Sequence, residues 1–122
     1  MIHQNNIRKV TRRDVRNVFP LLSILSKLPQ EERKIVLNFL DEKSSDVICE
    51  CIHNGIRSKK INEVKREELK NVLQADKKFY RYLSRGKGSY QQNRKTLIKV
   101  ANSIHIIFDA VIPLLVQVFK IK

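Results

Sequence analysis

Apolar residues recur every three or four positions along most of the chain, which is the spacing of one face of an α-helix. Thr11, with Asp14 three residues later, predicts the start of a first helix that runs up to Pro20. From Pro20 a short apolar stretch, 20–28, is either a kinked continuation or a separate helix. Pro29, followed by two glutamates, predicts the start of a second helix. We expect its buried stripe to consist of Ile35, Val36, Phe39 and Leu40.

Three further helices follow from the same periodicity. Ser44 or Ser45 can cap a third helix, with Asn54-Gly55 as a plausible stop. Its buried stripe is expected to contain Val47, Ile48, Cys51, Ile52 and Ile56. A fourth helix follows a basic connector, 57–60, and ends at the Gly86-Lys87-Gly88 break, and its apolar residues are Leu69, Val72, Leu73, Phe79, Tyr80 and Leu83.

The last predicted helix begins with a capping-box pair, Ser89 and Gln92, and continues until Pro113 interrupts it. One stripe of this fifth helix carries Leu97, Ala101, Ile104, Phe108 and Val111. The pattern as a whole predicts an all-α protein: a compact bundle of about five helices with a basic face and an apolar C-terminal tail.

A length of 122 residues allows one domain, and three glycines with three prolines are too few for the turns of a β-sandwich or barrel. We expect a flexible N-terminus at 1–10, a helical domain at 11–113 and an apolar terminal segment at 114–122. The N-terminal residues show no secretory signal. The longest apolar stretch, Ile104–Phe119, is interrupted by polar residues and is short for a bilayer, so we expect no stable membrane span.

Charge is the most informative feature of the composition. Lysine and arginine number 25 against 12 acids, a formal net charge of +13, and segment 31–54 is acidic while segment 55–103 is strongly basic. After residue 76 no acid occurs until Asp109. Such clustering predicts a polyanionic partner, and we expect the phosphate backbone of double-stranded DNA. The candidate nucleic-acid-binding residues are Arg57, Lys59, Lys60, Lys65, Arg66, Lys70, Lys77, Lys78, Arg81, Arg85, Lys87, Arg94, Lys95 and Lys99.

Three tyrosines, Tyr80, Tyr82 and Tyr90, lie among these cations. They are candidates for stacking on the bases of single strands, although core packing explains Tyr80 equally well. The chain contains no aromatic RNA-recognition signature and no evident groove-reading helix. We therefore expect phosphate contacts without base contacts.

No catalytic motif is visible, so we predict a non-enzymatic protein without a cofactor. Cys49 and His53 lie four residues apart on one helix face, a spacing compatible with two metal ligands or a thiol and a base. A tetrahedral zinc site needs two more ligands, and the other histidines, His3 and His105, lie near opposite ends of the chain. We predict no metal site and expect Cys51 to be a small buried residue.

The C-terminal segment contains more apolar residues than one helix face can bury. Either the domain's own core covers them, or they contact a second protomer, a capsid protein or a membrane surface. Truncation after Pro113 is expected to leave a folded domain that binds DNA but condenses it poorly.

Several segments together resemble the small basic virion core proteins of polintons and adintoviruses, which are adenovirus-like DNA elements of animals. They are LLSILSKLPQEERKIVLNFL, DVICECIHNGIR, YRYLSRGKG, QNRKTLIK and AVIPLL, which span roughly residues 21–115. The closest agreement is Ile48-Cys49-Glu50-Cys51 with Asn54, preceded by Arg33, Ile35 and Leu37. The family's glycine pair before its apolar tail is absent here, and Val100–Val111 stands in its place.

The resemblance implies packaging of double-stranded DNA inside a capsid, and hence a location in the virion interior or the host nucleus. Together with the charge distribution, it leads us to expect a sequence-nonspecific DNA-condensing protein. The alternative is a helical interaction module that docks a protein or a membrane. Salt-dependent binding to DNA of unrelated sequence distinguishes the two.

Overall fold

The computed structural model describes residues 10–57, 61, 63–86 and 88–119, with the backbone alone at 56–57, 63–64 and 118–119. Of the predicted flexible N-terminus, 1–10, residues 1–9 lie outside the described residues, as do the last residues, 120–122. The described chain is all-helical, which confirms the predicted fold class. It forms seven helices where about five were expected: α1 (Arg12–Lys27), α2 (Gln30–Asn38), α3 (Glu42–Arg57), α4 (Glu63–Ala75), α5 (Lys77–Arg85), α6 (Tyr90–Lys99) and α7 (Ile104–Phe119).

The difference in number arises because two predicted helices are each divided. The first break lies at Asp76, whose backbone leaves the helical region and whose carboxylate accepts a hydrogen bond from Ser103 Oγ at 3.2 Å. The second lies at 100–103, where the chain bends by 108° between α6 and α7. Leu97 and Ile104, on either side of this bend, are both fully buried.

Local capping signals at three helix ends are confirmed. Thr11 Oγ1 accepts from the backbone N–H of Asp14 at 3.1 Å, and the Asp14 carboxylate accepts from the Thr11 N–H, which lowers the pKa of Asp14. Ser89 and Gln92 form the same arrangement at α6. Gly86 ends α5 in the left-handed conformation, at φ 73°.

Other helix ends differ from the prediction or decide between its alternatives. Of the two alternatives for 20–28, the structure shows a continuation, because α1 runs through Pro20 and buries Val18 and Leu22 on either side of it. α3 begins after Asp41, whose carboxylate accepts from Ser44 N at 2.8 Å and whose pKa is thereby lowered. Gly55 does not end α3. It allows a close approach to α7, since a Cβ at Gly55 would lie 2.5 Å from Cγ2 of Val111.

The core lies around α3 and α7. α7 packs against α1, α3 and α4, while α3 also contacts α1, α5 and α6. Ile48, Cys51 and Ile52 are buried as predicted, and burial raises the pKa of the Cys51 thiol to about 12. Glu50 is half-buried, not fully exposed. Ile56 was assigned to the same stripe, but its side chain lies outside the described part of the chain.

The predicted interruption of the helix at Pro113 is also wrong, because α7 runs through this residue. Leu115 is only 9% exposed and belongs to the core, whereas Val116 is 41% exposed. Among the described residues, no single helix is both long and apolar enough to cross a membrane, and only the bent pair α6 and α7 reaches that length and composition.

The orientation of α2 differs most from the prediction. Ile35 is 58% exposed, Phe39 is 79% exposed and Val36 is half-buried, so of the expected stripe only Leu40 is buried. The residues of α2 that point inward are Arg33 and Leu37. A buried cation therefore occupies the place that the apolar pattern assigned to isoleucine and phenylalanine.

Arg33 is buried because backbone carbonyls surround its guanidinium. Nε donates to Leu25 O at 3.2 Å, one terminal nitrogen to Leu28 O at 2.7 Å, and the other to Ala101 O. The carbonyls of Leu25 and Leu28 lie at the C-terminal end of α1, where helical carbonyls lack partners and the dipole is negative, and Ala101 lies in the turn that follows α6. One side chain thus caps α1 and joins α2 to α1 and to the turn between α6 and α7.

Candidate nucleic-acid interface

Positive charge is concentrated on the solvent side of α5. The opposite side of this helix is buried through Tyr80 and Leu83, against α3, α4 and α6. Helical spacing therefore brings four exposed cations together on one surface, which we call the basic face: Lys77, Lys78, Arg81 and Arg85.

The charge of the basic face is not neutralised by nearby acids. Within the described parts of the chain, none of its four cations forms an ion pair with a carboxylate. The first turn of α5 contains no acid, so Lys77 and Lys78 lie at the positive end of the helix dipole. Asp76 directs its carboxylate to Ser103 instead of capping the helix. This arrangement costs local stability and leaves a positive surface available to an external anion.

Two depressions adjoin the basic face. A cleft of about 420 Å³ lies where α3, α4 and α5 meet, and a more open groove of about 440 Å³ follows the outer side of α5. The cleft is lined by His53, Leu73, Lys77, Tyr80, Arg81, Ser84 and Arg85. The groove is lined by Lys77, Lys78, Arg81, Tyr82 and Arg85.

Residues distant in sequence contribute to the cleft. His53 Nδ1 lies 3.0 Å from both the carbonyl oxygen and Oγ of Ser84, which holds the imidazole beside the basic face. The sequence pattern marked His53 as a candidate metal ligand or as a base beside Cys49, and it gave no indication of Ser84. No local pattern reveals their proximity, because 31 residues separate them.

A fifth cation joins the basic face from α6. The Phe79 ring lies between Lys78 and Lys99, whose ammonium groups are each 5.5 Å from its centroid. Both distances permit cation–π attraction, which holds the two lysines near one half-buried ring. The positive surface therefore extends from α5 onto α6.

The remaining predicted cations are distributed differently. Lys70 and Lys95 are exposed on α4 and α6. Lys65 donates to Asp109 O at 3.3 Å and Arg66 to Ile61 O at 3.0 Å, so both make contacts within the fold. Arg94 lies over the Tyr90 ring at 5.2 Å. Lys59, Lys60, Lys87 and the side chain of Arg57 lie outside the described residues.

All three tyrosines considered for base stacking make contacts within the fold. Tyr80 is buried, its hydroxyl lies 2.6 Å from Ser103 Oγ, and burial raises its pKa. The Tyr82 hydroxyl donates to Gln92 at 2.9 Å, and that of Tyr90 donates to the carbonyl of Leu40. The tyrosines therefore serve packing and capping in this structure.

Cys49 and His53, considered as two ligands or as a thiol and a base, have different surroundings. Cys49 is fully buried and His53 is directed to Ser84. In the part of the chain that the structure describes, no group of three or more His, Cys, Asp and Glu side chains is arranged to hold a metal ion.

Comparison of the chain with protein-family models, curated proteins and solved structures finds no match. The resemblance to virion core proteins therefore rests on the sequence segments alone, and the chemistry of the basic face has to be argued from its own residues.

Proposed function

We propose that this chain is a non-enzymatic protein that binds and condenses double-stranded DNA without regard to sequence. The observation that carries the proposal is the basic face, where four exposed cations lie together without carboxylate partners among the described residues. An ordinary solvated helix face mixes charges of both signs, whereas this one presents a single sign.

The mechanism is neutralisation of phosphates with release of condensed counterions. The four cations of the basic face and Lys99 together provide five positive groups on one surface. If each contacts one phosphate, the logarithm of affinity falls with the logarithm of salt concentration with a slope of about −4.5. Because the tyrosines beside these cations make contacts within the fold, we expect positioning contacts without base readout.

The cellular role is inferred from the resemblance to virion core proteins of polintons and adintoviruses. It places the protein in the virion interior or the host nucleus, where it packs DNA. Condensation also requires that each protein link more than one duplex or bind another protein. The exposed Lys70 and Lys95, and contacts of segment 114–122 with another copy or with a capsid protein, are the candidates for that linkage.

The proposal is tested by replacing Lys77, Lys78, Arg81 and Arg85 together with Gln. We expect weaker binding to a random duplex and a salt slope that is shallower by about 3.6, which corresponds to four lost phosphate contacts. Thermal unfolding should be little changed, because exposed cations contribute little to folding. The measurement is fluorescence anisotropy at several salt concentrations.

A matched control removes the same number of positive charges from α1, by replacing the exposed residues Arg12, Arg13, Arg16 and Lys27 with Gln. We expect this control to retain most of the salt slope of the unmodified protein. Equal losses in both variants would show that total charge and not the basic face governs binding. An unmodified protein whose affinity hardly changes with salt would contradict the proposal itself.

A further inference from the structure

Large apolar side chains are exposed mainly in one place on the described surface. Of the four that are exposed among the described residues, Ile24, Ile35 and Phe39 lie on α1 and α2, and only Val116 lies elsewhere. Phe39, at 79% exposure, has most of its ring in water. Exposure of this kind costs solvation free energy and marks a surface that is covered when the protein acts.

Two of these residues, Ile35 and Phe39, line a groove between neighbouring helices. Ile35 and Phe39 are four residues apart and share one side of α2, and Ile24 lies one turn beyond Leu21 on α1. A depression of about 350 Å³ is lined by Leu21, Ile35, Val36, Phe39, Leu40, Asp41 and Ser44. We call these lining residues the α2 groove.

The groove exists because of Arg33. By pointing inward to the carbonyls of Leu25, Leu28 and Ala101, Arg33 fixes the rotation of α2 and turns Ile35 and Phe39 outward. The rotation is held by three hydrogen bonds from a buried charge, so the apolar face does not turn back into the core. The exposed face is therefore a fixed part of the fold.

The charge around the groove is opposite to that of the rest of the molecule. Segment 31–54 carries a net charge of −3 in a chain of +13, and its Arg33 is buried. Glu31 and Glu32 are exposed one turn before Ile35, and Asp41 lines the groove with a lowered pKa. Of the nearby lysines, Lys43 is paired with Asp14 at 3.5 Å.

We propose that the α2 groove docks a basic amphipathic helix of a partner protein, whose apolar residues cover Ile35 and Phe39 while its lysines or arginines face Glu31, Glu32 and Asp41. This is the helix-in-groove mode of recognition, with charge at the rim selecting the partner. An anionic membrane does not fit, because its headgroups would meet these carboxylates. A second copy related by a two-fold axis would bring acidic rims together.

The probe is a synthetic helical peptide of about 16 residues, with leucines at i, i+3, i+4 and i+7 and lysines at the remaining positions. A second peptide has glutamates in place of the lysines. Binding of each fluorescein-labelled peptide to the full chain is measured by anisotropy. We expect the lysine peptide to bind despite the overall positive charge of the protein, because the groove is locally acidic and apolar.

The decisive variants are Phe39→Ser and Ile35→Asn, which change exposed residues and so should fold normally by circular dichroism. We expect each to weaken binding of the lysine peptide by about tenfold or more, as for anchor residues of an interface. Val116→Asn, an exposed apolar residue of α7, is the matched control and should leave the affinity unchanged. Binding of the glutamate peptide should not depend on Phe39, because the basic face attracts it.

Charge reversal provides an independent test. Glu31→Lys combined with Glu32→Lys should weaken binding of the lysine peptide and leave unfolding unchanged. The proposal is overturned if the lysine peptide fails to bind or if its affinity is the same for Phe39→Ser. It is also overturned if sedimentation shows a dimer that Phe39→Ser abolishes, or if flotation with phosphatidylglycerol vesicles depends on Phe39, since the occupant would then be a second copy or a lipid surface.

Discussion

At the scale of single residues, Arg33 has the largest effect on the fold, because it is buried where an arginine is usually exposed. Arginine is normally exposed, yet Arg33 is 5% exposed and donates to three carbonyls from different parts of the chain. Its planar guanidinium suits this task because its donors diverge in fixed directions. Burial lowers the pKa of Arg33, but an arginine remains charged at any ordinary pH.

We predict that Arg33→Met lowers the free energy of unfolding by about 3 kcal/mol, because it leaves the carbonyls of Leu25, Leu28 and Ala101 without their donor. Arg33→Lys should recover little of this loss, since one ammonium group cannot reach three divergent acceptors. Urea denaturation followed by circular dichroism measures both. If Arg33→Lys keeps the full stability of the unmodified protein, the positive charge stabilises the fold and the planar geometry of the guanidinium is not required.

His105 gives the fold a dependence on pH. Its Nδ1 is buried without a hydrogen-bond partner in the described structure, and its pKa is lowered from 6.5 by burial and then by Arg33, with Asp109 opposing. The folded chain therefore keeps His105 neutral at a pH where the unfolded chain binds a proton. Stability is fully present above about pH 6.5 and decreases as the pH falls toward the lower folded value.

We expect the free energy of unfolding to fall as the pH drops below about 6.5, and to fall less for His105→Gln, which cannot titrate. Asp14 and Asp41 do not contribute to the change in stability over this pH range, because their lowered pKa values affect stability only in more acid solution. Denaturation at each pH is the measurement. If the free energy of unfolding falls equally with pH in the unmodified protein and in His105→Gln, His105 is not the cause of the pH dependence.

At the scale of elements, the orientation of each helix decides which apolar residues stabilise the fold. α3 buries Ile52 completely, whereas α2 leaves Ile35 58% exposed. Both residues belong to periodic apolar patterns, so the sequence assigns them the same role. The structure buries Ile52 and exposes Ile35. The same substitution at both positions measures how much this difference in burial contributes to the free energy of unfolding.

We predict that Ile52→Ala costs about 3 kcal/mol of unfolding free energy, the usual range for a large-to-small change in a core. Ile35→Ala should change it by less than about 0.5 kcal/mol, because the side chain is already largely in water. Thermal or urea unfolding of both variants provides the comparison. A large loss for Ile35→Ala would mean that α2 packs through its apolar stripe after all.

The C-terminal helix shows the same effect of packing. Because α7 continues through Pro113 and buries Leu115, its last turns share the core of the domain. Removal of the chain after Pro113 would therefore delete a core residue and not only an accessory tail. The role of the C-terminal segment in DNA condensation is therefore better tested by substituting exposed residues such as Val116 than by truncation.

At the scale of the whole molecule, opposite charges are segregated on different elements. The basic face lies on α5 with Lys99 of α6, while the acidic rim of the α2 groove lies on α2 and at the start of α3. Segregation allows one chain to attract phosphates with one surface and a basic helix with another. The two proposals are independent, since substitutions on α5 and on α2 alter different surfaces.

We predict that duplexes of unrelated sequence and equal length bind with affinities within a factor of about three, because phosphate contacts carry no sequence information. Competition between an AT-rich and a GC-rich duplex at fixed salt is the measurement. A preference of a hundredfold or more would require base contacts, and any contact from Tyr80, Tyr82 or Tyr90 would require its hydroxyl to leave its partner within the fold.

Local sequence patterns were enough to predict the helical class, the capping boxes at Thr11 and Ser89, the stop at Gly86 and the core stripe of α3. Each depends on residues within one or two turns, so short-range hydrogen bonding and periodicity suffice. It also located the run of cations from which the basic face is built, because like charges at helical spacing necessarily share a side.

The direction in which α2 faces, the breaks in the long helices and the partners of the cations depend on contacts between residues that are far apart in the sequence. Arg33 meets Ala101 across 68 residues, and Asp76 meets Ser103 across 27. A partner so distant in sequence leaves no local pattern, yet its hydrogen bonds outweigh the preference of Ile35 and Phe39 for the core. The physical reason is that an uncapped helix end inside the fold costs more than an apolar side chain in water.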